Sequence, residues 1–173
     1  MALDIIKAQT PDQIDAVRHL FREYETFLDA DLGFQGFEEE LDGLPGKYSP
    51  PDGALFLAVE GRKSAGCAAL RKLEDGVCEM KRLYVKPRFR GWGLGRMLAE
   101  RVLDEGVKLG YRIMRLDTLE KLVEAMRLYA ALGFKRRDPY YDNPLPGVVY
   151  WERELVKPRN GQSGTIRARH RPA

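Results

Sequence analysis

Apolar residues along this chain follow two rhythms, and the switches between them mark its elements. Ile5, Ile6 and Lys7 read as a short first strand. Thr10-Pro11-Asp12 then opens a helix, with Thr10 as N-cap and Pro11 at the first helical position. Ile14, Val17, Phe21, Tyr24 and Leu28 recur at helical spacing and define one apolar stripe. Gly33 interrupts it, and residues 35–41 read as a second short helix. Residues 43–53 carry three prolines and three glycines, the composition of a loop. The rhythm then changes to strands over 54–60, 65–73 and 77–85, joined by turns at Gly61-Arg62-Lys63 and Glu74-Asp75-Gly76. Leu94, Met97, Leu98, Val102 and Leu109 restore helical spacing up to Gly110, a residue suited to the C′ position. A strand over 112–117, a helix over 120–132 closed by Gly133, and strands over 134–137 and 148–155 complete the pattern. The order β-α-α-β-β-β-α-β-α-β-β predicts a single mixed α/β domain: a mostly antiparallel mixed sheet with helices on both faces.

Composition and charge narrow this picture. With 173 residues, 44% hydrophobic and 32% charged, the chain has the balance of one globular domain. No apolar run reaches the roughly 20 residues that cross a bilayer. The first residues lack the basic start and apolar block of an export signal, so a cytoplasmic location is expected. Cys67 and Cys78 read as reduced, buried thiols. His19 and His170 are far apart and no Cys/His cluster has ligand spacing, so no metal is expected. The net charge of +3 is unevenly spread. Residues 157–173 hold five basic and no acidic residues, leaving −2 for residues 1–156. The sequence therefore divides into a mildly acidic domain, 1–156, and a basic, polar tail, 157–173, expected to be disordered. A mildly acidic body argues against nucleic-acid recognition, and the tail reads as solvated.

The candidate chemistry begins at Arg90-Gly91-Trp92-Gly93-Leu94-Gly95-Arg96, between a strand and a helix. Bare amides and a helix N-terminus in that position favour phosphate. No Gly-Lys-Ser/Thr follows, which excludes a P-loop. A dinucleotide turn needs a third glycine where Arg96 stands, although Asp117 at the next strand end imitates its ribose-binding acid. A turn used only for close packing is the remaining alternative.

The pattern Arg90-x-x-Gly93-x-Gly95 resembles the Arg/Gln-x-x-Gly-x-Gly/Ala signature of the GCN5-related N-acetyltransferase (GNAT) superfamily. Leu128-Tyr129-x-x-Leu132-Gly133-Phe134 is similar to that family's segment ahead of its last two strands, and the element order fits from residue 4 to 155. The resemblance implies an acyl-CoA N-acyltransferase fold and acetyl-CoA as co-substrate. The backbone of Arg90, Gly91, Trp92, Gly93, Leu94, Gly95 and Arg96 would hold the pyrophosphate, helped by the side chains of Arg88, Arg90 and Arg96. Leu83, Tyr84 and Val85 would pair with the pantetheine arm, and the thioester would sit in the gap before the strand over 112–117.

It also implies roles in transfer to an amine. Tyr129 stands where similar enzymes keep a tyrosine that protonates the departing sulfur, and a phenol of pKa ~10 retains that proton at neutral pH. Its other reading is an aromatic on a core stripe. Glu79, expected on one strand face with Lys81, Leu83 and Val85, is the candidate general base, acting directly or through water. Its other reading is a cross-strand salt bridge. Many relatives place an asparagine seven residues before the tyrosine, where this chain has Leu122. The acceptor is expected to be a small-molecule or peptide amine. Asp29, Asp31, Glu38, Glu39 and Glu40 beside Phe34 and Phe37 suit a cationic one, unless the glutamates form a solvated helix face. Asp117, Thr118, Tyr140 and Tyr141 are further candidates for the acceptor side. The expected assembly is a monomer or homodimer. A non-catalytic acyl-CoA sensor is the alternative function.

Overall fold

The computed structural model describes residues 2–156; the basic tail lies outside them. The chain runs β1 (Leu3–Lys7), α1 (Pro11–Leu28), α2 (Phe37–Asp42), β2 (Ala54–Glu60), β3 (Lys63–Glu74), β4 (Val77–Val85), α3 (Leu94–Lys108), β5 (Ile113–Leu119), α4 (Val123–Ala131), β6 (Lys135–Arg137) and β7 (Val148–Glu154). These form one seven-stranded sheet in the order β1-β2-β3-β4-β5-β7-β6. All neighbours are antiparallel except β4 and β5. The crossover through α3 makes that pair parallel, because a strand–helix–strand unit returns in the same direction.

Local sequence accounts for most of these boundaries. Thr10 caps α1 in a full capping box, its hydroxyl accepting from the Gln13 amide while the Gln13 side chain accepts from the Thr10 amide. On one face of the sheet, α1 and α2 bury Val17, Leu20, Phe21 and Phe37 against Leu55, Leu57, Cys67 and Ala69. On the other, α3 and α4 bury Leu98, Val102 and Tyr129 with Phe56, Leu70, Met80 and Trp151. Each fully buried large side chain contributes about 1.5–3 kcal/mol, and both faces of the central strands are used. Cys67 and Cys78 are free and buried.

Three departures from the sequence pattern follow from tertiary contacts. The proline-rich stretch holds a short 3-10 turn, Gly46–Tyr48, because Tyr48 packs edge-on against Phe21. Strand β5 continues to Leu119, where the Glu120 amide bonds the Gly147 carbonyl, so α4 starts only at Val123. The third departure shapes the site. Ala69 pairs with Lys81 and Cys67 with Tyr84, so Arg82 and Leu83 together oppose Ala68 in a β-bulge. Arg82 adopts φ 59°, unusual for a side chain with a Cβ. The bulge reverses the alternation: Lys81, Arg82 and Tyr84 face α1 and α2, while Leu83 and Val85 turn toward α3. The expectation that Glu79 shares a face with Leu83 and Val85 is thereby overturned.

Candidate active site

Strands β4 and β5 pair only over Val77–Ile113, Cys78–Met114 and Glu79–Arg115, then diverge. Beyond that point the β4 edge from Met80 to Val85 faces an open gap. A cavity of about 530 Å³ fills it, running from the glycine turn past Leu83, Leu128 and Tyr129 to Lys81, Gln35, Asp117 and Asn143. That volume falls within the usual range for small-molecule sites.

At one end, Gly91 and Gly93 hold φ of 84° and 76°, and a Cβ at either would meet nothing within 4 Å. Glycine is required there for backbone conformation, and the space beside it is open. Among the described residues, no backbone carbonyl takes the amides of Gly91, Trp92 or Gly93, and no side chain caps α3. The first-turn amides of α3 have no partner one turn back. Gly91, Gly93 and Gly95 line the cavity, so a turn with unpaired amides and the positive end of a helix lie beside it. The flanking side chains are differently disposed. The Arg90 guanidinium donates to the Val85 carbonyl at 3.0 Å and stacks 4.6 Å from the Phe27 ring. Arg96 pairs with Glu100 at 2.9 Å, and Trp92 is exposed and off the cavity wall. The turn offers its amides more directly than its cations.

In the middle, Tyr129 lies on the wall with its ring against Phe134 and Trp151. It is therefore both a core aromatic and a cavity residue. Burial, with smaller contributions from Tyr24 and Asp117, pushes its phenol well above the ordinary value and keeps it protonated. Leu122 also lines the cavity and presents an apolar side chain to it.

The far end departs most from the sequence reading. Glu79 is 3% exposed and absent from the wall. Its carboxylate pairs with Arg71 at 3.2 Å, across the strands, and accepts from the Tyr140 hydroxyl at 2.5 Å. Two carboxylates lie on the wall, Glu124 and Asp117, and Asp117 accepts from the Tyr141 hydroxyl and from Asn143 Nδ2 at 2.9 Å. Gln35 Nε2 donates to the Tyr141 oxygen at 3.1 Å, and Lys81 Nζ donates to Gln35 Oε1 at 3.4 Å. Lys81, Gln35 and Asn143 had no chemical signal in the sequence; Asp117 did, by standing at a strand end. The acidic stretch does not supply a cation-binding wall. Glu38 is taken by Arg22 at 2.6 Å, and Glu40 is buried against Arg82 at 3.0 Å and Lys47 at 2.8 Å. Burial would raise Glu40, but these cations hold its carboxyl at about 2.

Comparison with known proteins shows the family and the fold. The acetyltransferase (GNAT) family model matches residues 14–134. An uncharacterised N-acetyltransferase of Schizosaccharomyces pombe is 41% identical over 157 residues, covering 90% of this chain and 96% of that protein. A GNAT-family acetyltransferase from Staphylococcus aureus superposes with TM-score 0.75 at 18% identity, covering 90% of this chain and all of that one. The PaiA N-acetyltransferase of Thermoplasma acidophilum, solved with coenzyme A, gives TM-score 0.69 at 18% identity over 89% and 99% of the two chains. The fold is that of the acyl-CoA N-acyltransferases. The chain belongs to the acetyltransferase (GNAT) family and is an enzyme of the N-acetyltransferase class.

Proposed function

We propose that this enzyme transfers acetyl from acetyl-CoA to a primary amine of a small molecule or peptide by direct attack on the thioester. The observation that carries the reading is the early end of the β4–β5 ladder, which opens one cavity from the unpaired amides of residues 91–93 to the Tyr129 hydroxyl. Those amides suit a pyrophosphate. The free edge of β4 suits an extended arm, except at Val85, whose carbonyl Arg90 already occupies. The coenzyme A bound by the Thermoplasma neighbour supports the same ligand.

In transfer, the amine nitrogen attacks the thioester carbonyl carbon, and the C–S bond then breaks. Tyr129 supplies the proton for the departing sulfur, because burial stabilises its neutral form until thiolate charge develops beside it. The proton lost by nitrogen passes to Asp117, the wall carboxylate held by Tyr141 and Asn143, or to a water that it holds. Glu79 has a supporting part in this reading: from behind the wall it holds Arg71 and Tyr140 in place. Apolar Leu28, Leu32 and Leu145 shield the acceptor end from bulk water.

The test is thiol release from acetyl-CoA over a panel of amines, beside calorimetric titration with coenzyme A. Turnover with one or more amines is expected. Tight coenzyme A binding with no transfer to any amine would replace the reading with a sensing module. Absence of binding would remove both.

A further inference from the structure

Lys81 is an unusual residue to find at the acceptor end of the cavity. It is 9% exposed and sits on the wall just before the bulge that turns β4 toward α1 and α2. Its nearest anion, Glu79, is 3.9 Å away and already engaged by Arg71 and Tyr140. Arg82, its neighbour, is neutralised by Glu40. The remaining contact is the Gln35 side-chain oxygen at 3.4 Å, a long, neutral acceptor. A buried ammonium with no close counter-ion is costly to hold. Burial accordingly lowers the Lys81 pKa, against the opposing pull of Glu79. A cation poised in this way on a cavity wall is satisfied by an anion arriving from the cavity.

The rest of the wall gives that anion a partner of opposite sign. Lys81, Gln35, Tyr141 and Asp117 form one hydrogen-bonded chain, and Asn143 fixes its Asp117 end. One end of the chain is cationic and the other anionic, both fixed before any ligand arrives. We infer that the acceptor is an amine that also carries a carboxylate, as an amino acid does, with the carboxylate on Lys81 and the nitrogen toward Asp117. This inference rests on the proposed transferase reading and names its substrate class.

The experiment compares L-amino acids with their own carboxamides, which differ by the charge Lys81 would read. Each is titrated calorimetrically into the protein, with and without coenzyme A, and each is assayed with acetyl-CoA. The amide's nitrogen is the less basic and more often neutral, so nucleophile availability favours the amide and cannot create a preference for the acid. At least one acid is expected to bind, and to react in kcat/KM, about tenfold or more better than its amide, the range of a charge-assisted hydrogen bond. Lys81→Met is expected to bring the ratio near one, mainly through KM. Lys81→Gln serves as a second variant, with thermal melting to establish that each is folded. Equal handling of acid and amide, a preference that survives both variants, or no binding of either kind overturns the inference. Amides acetylated as well as acids would refute it while leaving the transferase reading intact. Loss of coenzyme A binding would refute the transferase reading, and titration without coenzyme A still decides the role of Lys81.

Discussion

The two ends of the cavity are built on opposite plans. The proposed nucleotide end is the turn over residues 90–96, whose contribution is backbone amides set by two glycines at positive φ. The acceptor end draws Gln35, Lys81, Asp117, Tyr141 and Asn143 from four separate stretches of chain, and its contribution is charged and polar side chains tied to each other. A site made of contiguous backbone can be varied in sequence at its flanks with little loss. A site made of side chains from distant segments changes whenever one of them does. On the proposed reading, the nucleotide end therefore carries the general chemistry, and the acceptor end carries specificity.

Mutations that separate the two ends test this contrast. The largest effect is expected at Tyr129, between them. Tyr129→Phe should lower kcat by about 10³, within the range of general-acid contributions, while leaving the Kd for coenzyme A unchanged by calorimetry. Retained turnover would confine Tyr129 to packing.

Next is the Glu40 pair behind the acceptor wall. Its carboxyl is held at about 2 against an ordinary 4.5. A depressed carboxyl stabilises the fold above its unfolded value and loses that contribution as pH falls from about 4.5 toward 2. The shift corresponds to about 3 kcal/mol. Denaturant melts at pH 7 should show Glu40→Gln less stable by about that much, and the difference from the unmodified protein should shrink steadily below pH 4.5.

Two carboxylates come third. Asp117→Asn should lower kcat/KM by about 10² by removing the proton acceptor. Glu79→Gln should change it less than about fivefold, since a residue off the wall acts only through its neighbours. The reverse ranking in the same assay would return the base to Glu79. Smallest is Gly93→Ala. A Cβ at φ 76° costs about 1–2 kcal/mol, so coenzyme A should bind roughly tenfold more weakly. The ratio between acid and amide acceptors should stay as it was, because the change is confined to the other end.

How much of this was legible in the sequence follows the same division. Strands β2 and β4 and the start of α3 stood where periodicity and the glycine turn put them, since burial on both faces and helix capping are written in adjacent residues. The Leu-Tyr and Gly-Phe surroundings singled out Tyr129, and the fold puts it on the cavity wall. The face that Glu79 was expected to share with Leu83 and Val85 was misjudged because strand alternation was extended through Arg82, and a single extra residue moves every later side chain to the opposite face. The acid-rich stretch misled for a related reason: its charges look free in the sequence, but Arg22, Lys47 and Arg82 meet them only once α2 docks on the sheet.

The sequence alone determined the element order, the glycine turn and the family, because each depends on residues near one another in the chain. Tertiary structure decided that Asp117 and not Glu79 reaches the cavity, and that Lys81 is buried on its wall with its nearest anion 3.9 Å away. Those outcomes depend on a bulge, on strand divergence and on pairings between distant segments. Electrostatic partners are chosen by distance in space, and no local pattern along the chain records that distance.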